Sequence, residues 1–320
     1  MTMKQALILH GTEASPDANW FRSLERVLSD NDFTVWLPQL PDSATPNTKT
    51  YNSFLLNNTD FTFNDETILV GHSSGAVEIL SLLQNLPDGV KVGDVYLVSA
   101  FMDTLGWDAL DGLFAEPYNY ELITEKARSI TLIHSDNDPY VPLGQAQFLK
   151  EKLNARLVVI GGQGHFNLEQ SEDYREFPLL MQVIETTNIL ASQQKLATFR
   201  GQRITFSETQ TVADGVECDV YSFAYDASKD LGVIRIKAGS STPRQQIIKG
   251  DRTVEGFLAG KVNLDVMSNS DEKTHEHDDD NYGSDISLGV GDTMQWSAFE
   301  DSVCFEICYP PYEEGRFRNI

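Results

Sequence analysis

Short apolar runs alternate with helix-length amphipathic segments from residue 4 to about residue 185. The runs are continuous in valine, isoleucine and leucine, which is typical of parallel strands buried on both faces. In chain order they are QALILH, FTVWLP, ETILVGH, DVYLVSA, SITLIHS and ARLVVIG. The helical segments are DANWFRSLERVLSD, GAVEILSLLQNL, GQAQFLKEKL and YREFPLLMQVIE, and Ser15-Pro16 is expected to start the first. Strand and helix in turn predict an α/β fold with a doubly wound, mostly parallel sheet.

After residue 193 the pattern changes to short segments in which apolar and polar residues alternate. Segments such as DVYSFAYD and DLGVIRIKAG are typical of antiparallel strands with one face in a core. Their recurrence predicts a small all-β barrel or jelly roll. We therefore predict an α/β domain at 1–188, a linker at 189–199 and an all-β domain at 200–320. The acidic stretch SNSDEKTHEHDDDNYGSD is predicted to be a solvated loop between strands.

The composition and net charge of the chain disfavour some classes of binding partner. The chain has 320 residues, of which 41% are hydrophobic, and a formal net charge of -24. Such a charge disfavours nucleic acid and anionic membranes as partners. The first residues hold no signal-peptide pattern, and no run reaches the length of a membrane span. The three cysteines do not suggest a disulfide framework, and we expect a cytoplasmic protein.

The stretch GHSSG places Ser73 between an apolar strand and a helix-like pattern. A strand, a G-x-S-x-G pentapeptide and a helix are the context of a nucleophile elbow, in which a strained turn exposes the serine hydroxyl. Glycines flank the serine because bulkier residues would collide in so tight a turn. The backbone amide of Ser74, at the helix N-terminus, is predicted to bind an oxyanion.

A serine nucleophile needs a base and an acid, which in this fold follow it in chain order. Asp136 and Asp138 lie in the loop after SITLIHS, and His165 ends the glycine-rich loop after ARLVVIG. We predict a triad of Ser73, Asp138 and His165. Asp138 is preferred because the following PYVP segment makes its backbone rigid. Asp136 is expected to shape the loop by accepting backbone hydrogen bonds.

The first strand runs into LILHGTEASPDANW, where a second oxyanion donor is expected. We predict that the Thr12 amide is this donor. His10, Trp20 and His72 are candidates for the substrate pocket. Structural roles are the alternative for each of them, since Trp20 fits a helix core and the two histidines fit buried hydrogen bonds.

The first half resembles the small serine hydrolases of the retinoblastoma-binding protein 9 type, a branch of the α/β-hydrolase superfamily. The resemblance covers about residues 4–187 and rests on LILHGTEASPDANWFRSLERVL, ILVGHSSGA, DNDPYVP and GGQGHFN. It implies catalytic roles for Ser73, Asp138 and His165. It also implies a small or absent lid and activity on esters or on amino-terminal aminoacyl groups.

The second half is similar to a cupin in DLGVIRIKAGSSTPRQQIIKGDRTVEGFLAGKVNLDV and SLGVGDTMQWSAFEDSVCFEICYPP. Metal-binding cupins carry an H-x-H pair where this chain has Pro-Arg-Gln at 243–245, and a histidine where residues 297–299 have none. We therefore predict a cupin-like domain without a metal site. Metal binding by His275 and His277 is expected only adventitiously.

These patterns favour a serine hydrolase that cleaves small ester, amide or thioester substrates through an acyl-enzyme. The expected partner is a small-molecule acyl substrate, with no cofactor, and a homodimer could form through the cupin-like domain. The alternative is a binding or assembly protein that uses a hydrolase scaffold and a cupin ligand-binding module. A cupin oxidoreductase with iron or manganese is disfavoured by the missing ligands.

Overall fold

The computed structural model describes residues 4–191 and 194–320. The chain divides between Phe177 and Pro178 into two compact units. In the described part of the first unit, six strands form one sheet. They are β1 (Gln5–Leu9), β2 (Thr34–Trp36), β3 (Thr67–His72), β4 (Val92–Val98), β5 (Ala127–His134) and β6 (Arg156–Val159).

The sheet has the order β2-β1-β3-β4-β5-β6, and every neighbouring pair is parallel. Each strand lies in one of the six apolar runs, so the predicted α/β fold is confirmed. The chain order reverses at β1, which has β2 on one side and β3 on the other. In such sheets a crevice opens beyond the carboxyl ends of the strands at this switch point.

Five α-helices accompany the sheet in the described part of this unit, and Asp108–Leu113 form a 3₁₀-helix. The α-helices are α1 (Phe21–Asp30), α2 (Thr48–Leu56), α3 (Ser74–Asn85), α4 (Tyr120–Lys126) and α5 (Leu143–Leu153). The predicted helix start at Ser15-Pro16 is wrong, because residues 15–20 form turns before α1. Helices α2 and α4 are not among the predicted helical segments, and each begins after an asparagine whose side chain caps the first turn.

The predicted helix YREFPLLMQVIE is divided in the structure. A single turn of 3₁₀-helix covers Glu172–Arg175, and α6 starts at Pro178 and ends at Thr186. Proline is favoured in the first turn of a helix and cannot continue one, so the break falls where Pro178 stands.

The second unit is antiparallel throughout its described strands. The strands are β7 (Thr198–Phe199), β8 (Gln202–Ala213), β9 (Val216–Phe223), β10 (Asp226–Ile236), β11 (Gln245–Ile247), β12 (Arg252–Ala259), β13 (Val262–Ser268), β14 (Asp271–His277), β15 (Ile286–Leu288), β16 (Thr293–Ala298), β17 (Ser302–Tyr309) and β18 (Phe317–Asn319). A seven-stranded sheet has the order β15-β12-β17-β10-β9-β8-β7, and a five-stranded sheet has the order β14-β13-β16-β11-β18. The predicted all-β class is confirmed, and two antiparallel sheets are consistent with a cupin-like domain.

The acidic stretch is not the solvated loop that its composition predicts. Its residues Asp271–His277 form β14, which pairs with β13 as a hairpin. The turn residues Asn269 and Ser270 have φ values of 50° and 69°, as a two-residue hairpin turn requires. Strand β14 lies at the sheet edge, where charged side chains prevent further pairing and hide the strand pattern.

Helix α6 belongs to the second unit. The boundary between the two units in the structure therefore differs from the predicted domain boundary at residue 188. Gln182 donates to the Phe257 carbonyl and to the Tyr282 hydroxyl. The Glu185 carboxylate accepts the backbone amides of Arg200 and Gly201. Residues 192 and 193 of the predicted linker lie outside the described residues. Within those residues, no helix is long and apolar enough to cross a membrane.

Two carboxyl groups face each other inside the second unit. Glu255 on β12 pairs with Glu306 on β17, and the Trp296 indole donates to Glu255 Oε2 at 2.8 Å. Burial raises the pKa of Glu255 well above its usual range, and the neighbouring Glu306 raises it further. Burial raises the pKa of Glu306 as well, so a proton on this pair is held more tightly in the folded protein than in the unfolded chain.

This pair predicts a loss of stability as the pH rises. A raised folded-state pKa gives Glu255 a stabilising contribution that is complete below its unfolded pKa of about 4.3 and is lost toward alkaline pH. Glu255→Gln keeps an oxygen acceptor for the Trp296 indole and does not titrate. Urea unfolding at pH 5 and pH 8 should therefore show a smaller loss for Glu255→Gln than for the wild type.

Exposed Glu217, on β9, provides the control, because Glu217→Gln should leave the wild-type dependence unchanged. An unaltered pH dependence in Glu255→Gln would contradict the assignment. Some dependence should persist in that variant, because burial also raises the pKa of Glu306, that of Glu185, to about 7, and that of Asp230.

Candidate active site

Ser73 lies between β3 and α3, at the carboxyl edge of the sheet beside the switch point. Its backbone has φ 56° and ψ −124°, a region that non-glycine residues rarely adopt. The Ser73 amide donates to the Val98 carbonyl at 2.9 Å, which ties the strained turn to the end of β4. Such strain persists only where the surrounding structure imposes it, and it is concentrated at functional sites.

The glycines around Ser73 allow strand, helix and loop to approach closely. A Cβ on Gly75 would lie 2.5 Å from the His10 carbonyl oxygen, and one on Gly71 would lie 2.6 Å from Ala76 Cα. Both positions exclude a side chain, so α3 can start directly against β1 and β3. These contacts are the tertiary reason for the two glycines that the sequence motif carries.

His165 and Asp138 come together from the loops after β6 and β5. His165 Nδ1 lies 2.7 Å from Asp138 Oδ2, and both side chains are nearly inaccessible to solvent. Asp138 Oδ1 accepts the backbone amides of Tyr140 and Val141 at 2.9 and 3.0 Å. Burial alone would raise the pKa of Asp138, but the hydrogen bonds from His165 and the two amides outweigh it and the pKa is lowered. Asp138 is therefore ionised at neutral pH.

The histidine loop is held by side chains of the loop that carries the acid. Asp136 Oδ1 accepts the Gly162 amide at 2.7 Å, and Asn137 Oδ1 accepts the Gly164 amide at 2.7 Å. Asp136 thus accepts a backbone hydrogen bond, as the sequence predicts, and it contacts the loop rather than the imidazole. Two consecutive polar residues fix the path of the chain that leads to His165.

Ser99 is a residue of this site that the sequence analysis missed. Its hydroxyl donates to Asp138 Oδ2 at 2.8 Å, the same oxygen that His165 contacts. Ser99 is fully buried just beyond β4, with φ 50°. An isolated serine after an apolar run carries no sequence signal, because its contact with Asp138 depends on the pairing of β4 with β5.

The three candidates for the substrate pocket are buried. His10 donates from Nδ1 to the Gly11 carbonyl and accepts the Leu40 amide at Nε2. Trp20 donates to the Phe166 carbonyl at 2.9 Å. Neither side chain is exposed to solvent, so the structure gives both of them structural positions and does not support a pocket-lining role.

His72 is likewise buried, and the structure does not support its assignment to the pocket. Its Nε2–H donates to the His165 carbonyl at 2.8 Å, and the two rings lie 4.8 Å apart. Burial is the main cause that lowers the pKa of His72 to about 3, so its imidazole stays neutral. His72 therefore holds the backbone of His165 in position.

Thr12 and Ser74 bring two backbone amides to the switch point. The Thr12 hydroxyl donates to Ser74 Oγ at 2.9 Å and joins the loop after β1 to the first residue of α3. Among the described residues, neither backbone N–H has a hydrogen-bond partner. A Cβ on Gly11 would lie 3.0 Å from Ser73 Cβ, so glycine permits this close approach of the loop.

A cleft opens between the loops that follow β2 and β4. Its volume is about 370 Å³, and residues 41–50 and 108–112 contribute its lining. This size falls at the lower end of the range for small-molecule sites. The described residues hold no group of three or more His, Cys, Asp or Glu side chains that could bind a metal ion, and this includes the surroundings of His275 and His277.

A parallel sheet with helices, a strained serine after its third strand and a histidine–carboxylate pair at the same edge define a protein of the α/β-hydrolase class. The chain belongs to the Serine hydrolase family, whose sequence model matches residues 6–186. That match ends before the first strand of the second unit.

Two curated relatives and one solved structure are similar to the first part of the chain. "Putative hydrolase YdeN" from Bacillus subtilis (strain 168) is 28% identical over 182 residues, 57% of this chain and 94% of that protein. "Serine hydrolase RBBP9" from Rattus norvegicus is 28% identical over 146 residues, 45% of this chain and 74% of that protein. The crystal structure of the ydeN gene product from B. subtilis aligns with TM-score 0.54 and 27% identity, covering 59% of this chain and all of that one. Family and relatives support a hydrolase function.

Proposed function

We propose that the protein cleaves small esters through an acyl-enzyme formed on Ser73, with His165 as general base and Asp138 as the orienting acid. The observation that carries this proposal is the 2.7 Å contact between His165 Nδ1 and Asp138 Oδ2, at the sheet edge that also holds the strained serine. Because Nδ1 is engaged by the carboxylate, Nε2 is the nitrogen that can take the proton of Ser73.

The reaction proceeds in two halves. Ser73 Oγ attacks the substrate carbonyl while its proton passes to His165 Nε2, and the resulting oxyanion is bound by the amides of Ser74 and Thr12. The imidazolium then protonates the leaving alcohol, and the ester bond to it breaks. A water molecule, deprotonated by His165, releases the acid and regenerates Ser73.

Every group that this mechanism needs is supplied by the chain, so the proposed reaction requires no cofactor. Amides and thioesters react through the same steps, and esters are proposed ahead of amides because an alcohol is a better leaving group than an amine. The alternative of a binding or assembly protein is not favoured, since the residues of an elbow, an acid and a base come together at one edge.

Labelling with a fluorophosphonate probe tests the proposal. The folded wild type should label, Ser73→Ala should not, and Ser53→Ala should label as the wild type does because Ser53 lies on the exposed face of α2. A series of p-nitrophenyl esters with lengthening acyl chains would then measure how small the acyl site is. A folded wild type that does not label, or a Ser73→Ala variant that does, overturns the proposed function.

A further inference from the structure

Trp107 is an exposed aromatic residue on the loop that follows β4. The relative exposure of Trp107 is 49%, and the next most exposed large aromatic side chain described in the first unit is Phe148, at 41%. Single exposed apolar residues are ordinary on protein surfaces. Trp107 differs because its ring continues a chain of aromatic contacts that ends at His165.

The contacts run from the imidazole outward. The ring centroids of His165 and Tyr140 lie 5.1 Å apart at 83°, and those of Tyr140 and Trp107 lie 6.1 Å apart at 72°. Both arrangements are edge-to-face, the geometry that aromatic rings prefer. His165, Tyr140 and Trp107 therefore form a continuous strip, which we call the aromatic strip.

The backbone of both outer members of the strip is held in place. The Tyr140 amide donates to Asp138 Oδ1 at 2.9 Å, and a hydrogen bond to Glu169 raises the pKa of the Tyr140 hydroxyl. The Trp107 amide donates to the Thr104 carbonyl at 2.8 Å. A rigid aromatic surface can bind a ring without losing much conformational entropy.

The loop of Trp107 is anchored at its start as well. Gln145, on α5, accepts the Met102 amide at 2.9 Å and donates to Asp103 Oδ2 at 2.6 Å. Leu105 packs against a buried cluster that includes Leu110 and Val141. The position of Trp107 is thus set by polar and apolar contacts on both sides of it.

The role of the imidazole indicates which part of the substrate, the leaving group or the acyl group, the aromatic strip would contact. In the proposed mechanism His165 protonates the leaving group, so an exposed surface that continues outward from its ring can contact the leaving group. We propose that the aromatic strip is a leaving-group subsite that selects esters of arylmethyl alcohols, with the ring of the alcohol packing against Trp107 and Tyr140. This inference rests on the proposed function and adds its substrate class.

Two esters of matched shape provide the test. Benzyl acetate and cyclohexylmethyl acetate share the acyl group, and their alcohols differ chiefly in aromaticity. Acid release gives kcat/KM for each ester, and kcat/KM reports only the steps up to loss of the alcohol. Aromatic pairs contribute about 0.5–1.5 kcal/mol beyond area burial, so the wild type should prefer the benzyl ester by roughly 2- to 10-fold.

The variants separate aromaticity from apolar bulk. Trp107→Leu should bring the ratio of the two kcat/KM values close to one, and Trp107→Phe should retain part of the preference. Phe148→Leu removes an exposed aromatic residue on α5 and should keep the wild-type ratio. A wild-type ratio near one, or a ratio that Trp107→Leu leaves unchanged, overturns the inference while fluorophosphonate labelling of Ser73 still supports the proposed function. Failure of the wild type to label overturns both.

Discussion

Replacing Ser73 with alanine is expected to lower kcat about 10⁶-fold, and adding His165→Ala should cost almost nothing more. The two residues act as a unit, because the imidazole has no proton to take once the hydroxyl is gone. Alanine fits the φ 56° backbone of the elbow as well as serine does, so the variant should fold. Acid release from a p-nitrophenyl ester by both single variants and the double variant measures the effect.

The comparison of the single variants with the double variant is more informative than the size of any one decrease in kcat. Nearly equal residual rates in Ser73→Ala, His165→Ala and the double variant identify a single nucleophile–base unit. Effects that instead multiply would mean that the two residues contribute independently, which contradicts the proposed mechanism. Near-ultraviolet circular dichroism of each variant verifies that the aromatic core around Trp20 and Phe166 is intact.

Asp138→Asn should lower kcat about 10⁴-fold with little loss of stability. Two backbone amides donate to Oδ1, so the asparagine oxygen must stay there and its NH₂ group must take the place of Oδ2. That NH₂ donates to His165 Nδ1, so the proton of the neutral imidazole lies on Nε2. A protonated Nε2 cannot accept the proton of Ser73. Ser99 can accept from the same NH₂, since a hydroxyl is both donor and acceptor.

Asp136→Asn is the matched control for this variant. Asp136 lies two residues away in the same loop, and the hydrogen bond that it accepts from the Gly162 amide can be kept by an asparagine oxygen. Its kcat should stay within a few-fold of the wild type, and fluorophosphonate labelling should persist. If Asp136→Asn lost as much activity as Asp138→Asn, the assignment of the acid would be wrong.

The strands of the first unit were predictable because their chemistry is local. A strand buried on both faces of a parallel sheet must be apolar along its length, so each of β1 to β6 has a visible run. The elbow is also a local feature, because a single tight turn requires the residue types at Gly71, Ser73 and Gly75. For the same reason the order of serine, acid and histidine along the chain could be read from the loops that follow those runs.

Other features were hidden because their determinants are not neighbours in the chain. Strand β14 is polar on both faces because it lies at a sheet edge, and a composition rule assigns it to a loop. Ser99 contacts Asp138 across the pairing of β4 with β5. His72 holds a carbonyl that follows it by 93 positions.

Local patterns along the chain were enough to predict the α/β and all-β classes, the elbow and the loops that carry Asp138 and His165. The tertiary structure was needed to show which polar side chains are buried partners and which face solvent. It gave structural positions to His10, Trp20 and His72 and brought Ser99 to the acid. The physical reason is that burial and hydrogen-bond pairing of a polar side chain depend on what the rest of the fold packs against it, whereas strand and turn preferences depend on a few consecutive residues.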